Sequence, residues 1–140
     1  MNTTMHTHWQ KNLAFSSEIG GHQVITDAPL EFDGENRGPS PKKLMMVALS
    51  GCTGIDVISL LKKMRVELAS LTITVEAELT DGQPSLFSSM HLIYSFRGEN
   101  LERHKLEKAV TLSQDKYCGV SAMYRKIMEV SWEIRINEQS

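Results

Sequence analysis

The chain has 140 residues, 41% of them hydrophobic and 23% charged, with a formal net charge of -2. That size suits a single domain over residues 1–140, able to bury roughly two thirds of its unfolded surface without disulfide staples. The weak negative charge excludes the basic field that recruits nucleic acid or an anionic membrane surface. The first twenty residues are polar, with Asn2, Thr3, Thr4, His6 and His8 among them, and do not read as a signal peptide. The expected compartment is therefore the reducing cytoplasm, where two cysteines are more often free thiols or a transient redox pair than a structural disulfide.

Three short strands are expected over residues 5–10, 13–19 and 22–26, with Gly20-Gly21 turning between the last two. A loop follows over residues 27–40. Ser40 suits an N-cap and Pro41 the first helical position, opening a long helix to about Met64. Lys62, Lys63 and Arg65 favour its negative C-terminal end. The helix is strongly apolar, but Ser50, Thr53, Asp56 and Ser59 within it point to a buried core helix rather than a membrane span. Leu71, Ile73, Val75, Ala77 and Leu79 then alternate with polar residues, and Asp81-Gly82-Gln83-Pro84 makes a turn. Met90, Leu92, Tyr94 and Phe96 form the apolar face of the next strand. A second helix starts near Asn100, with Leu106, Ala109, Val110, Ser113 and Tyr117 along one face, and ends by Gly119. A further short helix fits residues 120–126. Met128, Val130, Trp132, Ile134 and Ile136 give the last strand. Strands with one wet face pair most naturally antiparallel, so the expectation is an α+β domain of antiparallel sheets and a long central helix.

The central helix breaks local rules around Cys52. Gly51 and Gly54 each cost about 1 kcal/mol relative to alanine inside a helix. Tight packing on a sheet or helix is the leading explanation, with ligand contact or a dimer partner as the alternatives. Lys42 and Lys43 sit at the positive end of the helix dipole, where carboxylates are preferred. They are either solvated surface residues or, with Arg37, an anion-binding mouth. Cys52 shares its helix face with Ala48, Leu49, Ile55 and Asp56, and both burial and a nearby carboxylate raise a thiol pKa. Local sequence thus makes Cys52 a buried, unactivated cysteine. Cys118, beside Lys116 and Gly119 near a helix break, is more accessible and mobile, or else a small core residue. His6 and His8 lack a third ligand and look like an exposed terminus, so no metal site is expected. No Cys-x-x-Cys, phosphate loop or Ser-His-Asp signature occurs, and no bound cofactor is expected. Met45, Met46, Met64 and Met123 belong to a core or to an adaptable apolar pocket.

Two segments resemble the paired cysteine motifs of the OsmC/Ohr family. The first is Gly38-Pro39-Ser40-Pro41-Lys42-Lys43-Leu44, followed by Ala48-Leu49-Ser50-Gly51-Cys52. The second is Lys116-Tyr117-Cys118-Gly119-Val120. The order of strands and helices is similar as well, and Cys52-Thr53-Gly54-Ile55-Asp56-Val57 resembles a YhfA-like branch. The resemblance implies an OsmC-like fold in an intertwined homodimer, with active sites near the interface. It implies reduction of organic hydroperoxides or peroxide, with Cys52 peroxidatic, Cys118 resolving and an external dithiol as reductant. A non-catalytic homodimer binding a small apolar ligand at the interface is the competing expectation. The family's peroxidases place a glutamate where Lys42 stands, and an arginine on the N-terminal strands where the nearest cation is Lys11. Lys42 and Arg37 are the remaining candidates for electrostatic support, although a lysine does not reproduce an arginine fork.

Overall fold

The computed structural model describes residues 1–139. Two compact units divide the chain at Met45 and Met46.

In the first unit, β1 (His6–Lys11), β2 (Ala14–Ile19) and β3 (His22–Thr26) form an antiparallel meander. Gly20 and Gly21, at φ 55° and 79°, make the tight turn into β3 without the penalty a side chain would meet there. Only Ala14 and Ser16 of the sheet are buried; Trp9, Phe15, Ile19 and Ile25 are exposed. The 27–40 segment is an organised loop. Buried Asp27 accepts backbone N–H bonds from Ala28 (2.7 Å), Glu35 (3.3 Å) and Arg37 (3.2 Å). A Cβ at Gly34 would stand 1.8 Å from the carbonyl oxygen of Ala28, so the loop closes only over glycine.

Helix α1 (Pro41–Lys63) begins in the first unit and continues into the second. Its end is a Schellman turn: Arg65 N–H bonds Lys62 O at 3.1 Å and Val66 N–H bonds Leu61 O at 2.9 Å, with Arg65 at φ 61°. By length and composition α1 could cross a membrane. One side, however, is packed protein interior, with Leu49, Thr53, Val57 and Leu61 buried at four-residue spacing. The other side is open, Val47 at 61% and Ile55 at 74% exposure. The expected core helix is thus buried on one face of this chain only. The two glycines differ too. A Cβ on Gly54 would meet Ile73 Cδ1 at 3.2 Å, which is helix-on-sheet packing, whereas one on Gly51 would meet nothing within 4 Å.

The second sheet has the order β4 (Ser70–Leu79), β5 (Phe87–Arg97), β6 (Glu129–Ile136). β4 and β5 pair antiparallel, but β6 lies parallel to β5, contrary to the all-antiparallel expectation. The reason is the connection. α2 (Arg103–Leu112), a π-turn over Ser113–Tyr117 and α3 (Gly119–Tyr124) carry the chain back to the starting end of β5, as a parallel pair requires. Met90, Leu92, Tyr94 and Phe96 of β5 are fully buried and form the centre of the core with Leu106, Ala109 and Val110 of α2. The π-turn adds a residue to the helical repeat after Leu112. Gln114 is therefore buried, and Tyr117, expected on the buried face, is 50% exposed.

Candidate functional site

The second unit brings together two cysteines that lie 66 positions apart in sequence. Cys52 comes from the middle of α1, half-buried; Cys118 is the N-cap of α3, 3% exposed. The two sulfurs and a carboxylate oxygen of Asp56 all lie within 4.8 Å of one another. Asp56 joins because it follows Cys52 by one helical turn and shares its face.

Cys118 owes its position to the π-turn. Its backbone N–H bonds Ser113 O at 2.7 Å, its own backbone turns extended (φ -78°, ψ 101°), and its sulfur accepts Ser121 N–H at 3.3 Å. Burial pushes the Cys118 thiol up to about 11 from 9.0. The hydrogen bond with Cys52 and the charge of Asp56 act in the same direction, against the opposing Ser121 N–H. At neutral pH Cys118 is therefore held as the thiol. Cys52, the more exposed of the two, is the better placed nucleophile.

Behind the sulfurs lies a chain of buried hydroxyls absent from the sequence-based site. Ser113 Oγ donates to Asp56 Oδ2 at 2.9 Å. A serine hydroxyl has one proton, so Thr53 must donate to Ser113 (2.7 Å), and Tyr94 in turn to Thr53 (2.7 Å). Gln114 Nε2 donates to Tyr94 OH at 2.7 Å, closing the series. Gln114 is itself held: its Oε1 accepts Ser121 Oγ (2.6 Å) and Arg125 Nη2 (3.1 Å). With Asp56 as the final acceptor, every proton in the series points towards it. Among the described residues, no buried side-chain nitrogen or oxygen lacks a partner. Burial also raises the Tyr94 phenol above its ordinary value, so this hydroxyl stays protonated.

Arg37 and Lys42 fall in the first unit. The Arg37 guanidinium is paired with Glu35 at 2.7 Å. Lys42 and Lys43 line a cavity of about 630 Å³ with Pro29, Phe32, Pro39 and Pro41. His6 and His8 are exposed on β1, with ring centroids 6.4 Å apart.

Residues 34–133 match the family model described as OsmC-like protein, a stretch that runs across the boundary between the units. Protein YhfA of Escherichia coli K12 is 31% identical over 124 residues, covering 88% of this chain and 90% of that protein. A hypothetical protein from Aquifex aeolicus VF5 superposes with a TM-score of 0.82 at 28% identity, covering 99% of this chain and 100% of its own. An organic hydroperoxide resistance protein, OsmC, from Legionella pneumophila shares the fold at 17% identity, with a TM-score of 0.68 and coverage of 96% and 97%.

Proposed function

The chain belongs to the OsmC family, and from that premise we propose that it is a thiol-dependent peroxidase acting in the cytoplasm on organic hydroperoxides or peroxide. The observation that carries this reading is the convergence of Cys52 and Cys118 to within 4.8 Å. In the proposed reaction the Cys52 thiolate attacks the O–O bond, the alkoxide leaves and takes a proton as alcohol, and Cys52 becomes sulfenic acid. The Cys118 sulfur then displaces water from it. The sulfurs close to about 2.05 Å in the disulfide, which an external dithiol reduces. The raised Cys118 pKa supports this division of labour, because it leaves the first attack on the oxidant to Cys52. The hydroperoxide resistance protein with the same fold supports the choice of oxidant.

A homodimer is part of the proposal. Val47, Gly51 and Ile55 repeat at four-residue spacing on the open side of α1. Exposed apolar side chains around a glycine with free space suit a second helix laid close against it. A second reading is a non-catalytic dimer that holds a small apolar ligand. The cavity beside Phe32 and Pro29 favours it, since about 630 Å³ falls in the range of ligand pockets.

Peroxide consumption with a panel of dithiol reductants separates the readings. Turnover in the wild type that falls by at least about a hundredfold in Cys52→Ser is expected of the peroxidase. Equal, negligible rates in both proteins sink it.

A further inference from the structure

We propose that Cys52, Cys118 and Asp56 of the reduced protein form a three-ligand site for a thiophilic metal cation, foremost Zn2+. Two sulfurs and a carboxylate oxygen, three electron-rich donors, converge on one small volume, each within 4.8 Å of the others. In a tetrahedral zinc site, with Zn–S near 2.3 Å and Zn–O near 2.1 Å, ligand atoms stand about 3.5–3.8 Å apart. Small side-chain rotations bridge the difference. Cys52 and Asp56 are set on one face of a rigid helix, and Cys118 arrives from the start of α3, so the site ties two elements together.

The surroundings have the form of an outer ligand shell. The hydroxyl series from Gln114 through Tyr94, Thr53 and Ser113 delivers its last proton to Asp56 Oδ2 and so holds the carboxylate in place. Ser121 N–H bonds the Cys118 sulfur at 3.3 Å, and a cation bound there would displace the thiol proton. Two thiolates select zinc or cuprous copper over magnesium and calcium. Three protein ligands leave a fourth position for water, the pattern of zinc sites that remain open. Neither peroxide nor turnover enters this inference, so it stands or falls apart from the peroxidase reading.

The test uses reduced, metal-free full-length protein with both thiols verified by titration. Zn2+ is added in competition with a chromophoric chelator, and Co2+ serves as the spectroscopic probe. One Zn2+ per chain is expected, with a sulfur-to-cobalt charge-transfer band in the wild type. Cys52→Ser and Cys118→Ser each weaken zinc binding at least about tenfold and diminish the band. Asp56→Asn weakens binding about tenfold with the band retained, and the double variant His6→Ala/His8→Ala binds as the wild type does. Failure of verified, reduced wild type to retain zinc or give the cobalt band overturns the proposal. So does binding that survives both cysteine substitutions and disappears with His6 and His8. The cobalt band is read on the wild type, so a variant that fails to fold does not leave the question undecided.

Discussion

β5 buries Met90, Leu92, Tyr94 and Phe96 completely, whereas every residue of β1 is exposed and Trp9 lies 67% open. Both belong to three-stranded sheets. The second sheet has α1 and α2 over its apolar face, while the first leaves Trp9, Phe15, Ile19 and Ile25 in solvent. The same contrast divides α1 itself, Leu49 and Val57 buried on one side, Val47 and Ile55 open on the other. Interior packing in this chain holds the cysteine site; the open side of α1, with Val47 and Ile55, is what the proposed homodimer would cover.

The sharpest way to break that contrast is Phe96→Ala. Removing a fully buried ring from the second sheet should cost about 3–5 kcal/mol, read from denaturant unfolding. Next comes Thr53→Val, which leaves Ser113 and Tyr94 without their shared buried partner. A loss of about 1–3 kcal/mol is expected. A smaller effect belongs to pH. Folding raises the Cys118 pKa, so the protonated thiol stabilises the fold fully below the ordinary value of 9.0. That contribution is lost as pH climbs through about 11. The wild type should therefore lose more stability across this window than Cys118→Ala, as thermal melts at stepped pH would record. The smallest effect is expected for Trp9→Ala, within about 0.5 kcal/mol if the first sheet stays exposed. A larger loss that depends on protein concentration would place that sheet in the dimer contact instead.

Periodicity made the elements legible. The alternation at Leu71–Leu79 and Met90–Phe96, and the Ser40-Pro41 start of α1, correspond to strands and a helix close to the expected positions. The direction of β6 was not legible, because alternation specifies a face and says nothing of parallel or antiparallel pairing. The π-turn at Ser113–Tyr117 also escaped a reading based on a uniform helical repeat, and with it the burial of Gln114 and exposure of Tyr117. The two cysteines were marked by their motifs, and Asp56 by its place one turn after Cys52. The roles of Thr53, Tyr94, Ser113, Gln114 and Ser121 were hidden. They come from four separate elements, and each looks ordinary in its own segment. Asp27 was hidden for a related reason: its partners are backbone N–H groups, which no side-chain pattern announces.

The central claim is that Cys52 and Cys118 act as one redox pair. Mild peroxide treatment followed by mass spectrometry of a non-reduced digest tests it most directly. A peptide joined through Cys52 and Cys118, absent after dithiol treatment, is the result expected. Cys52 oxidised to sulfinic acid while Cys118 remains a free, alkylatable thiol would contradict it.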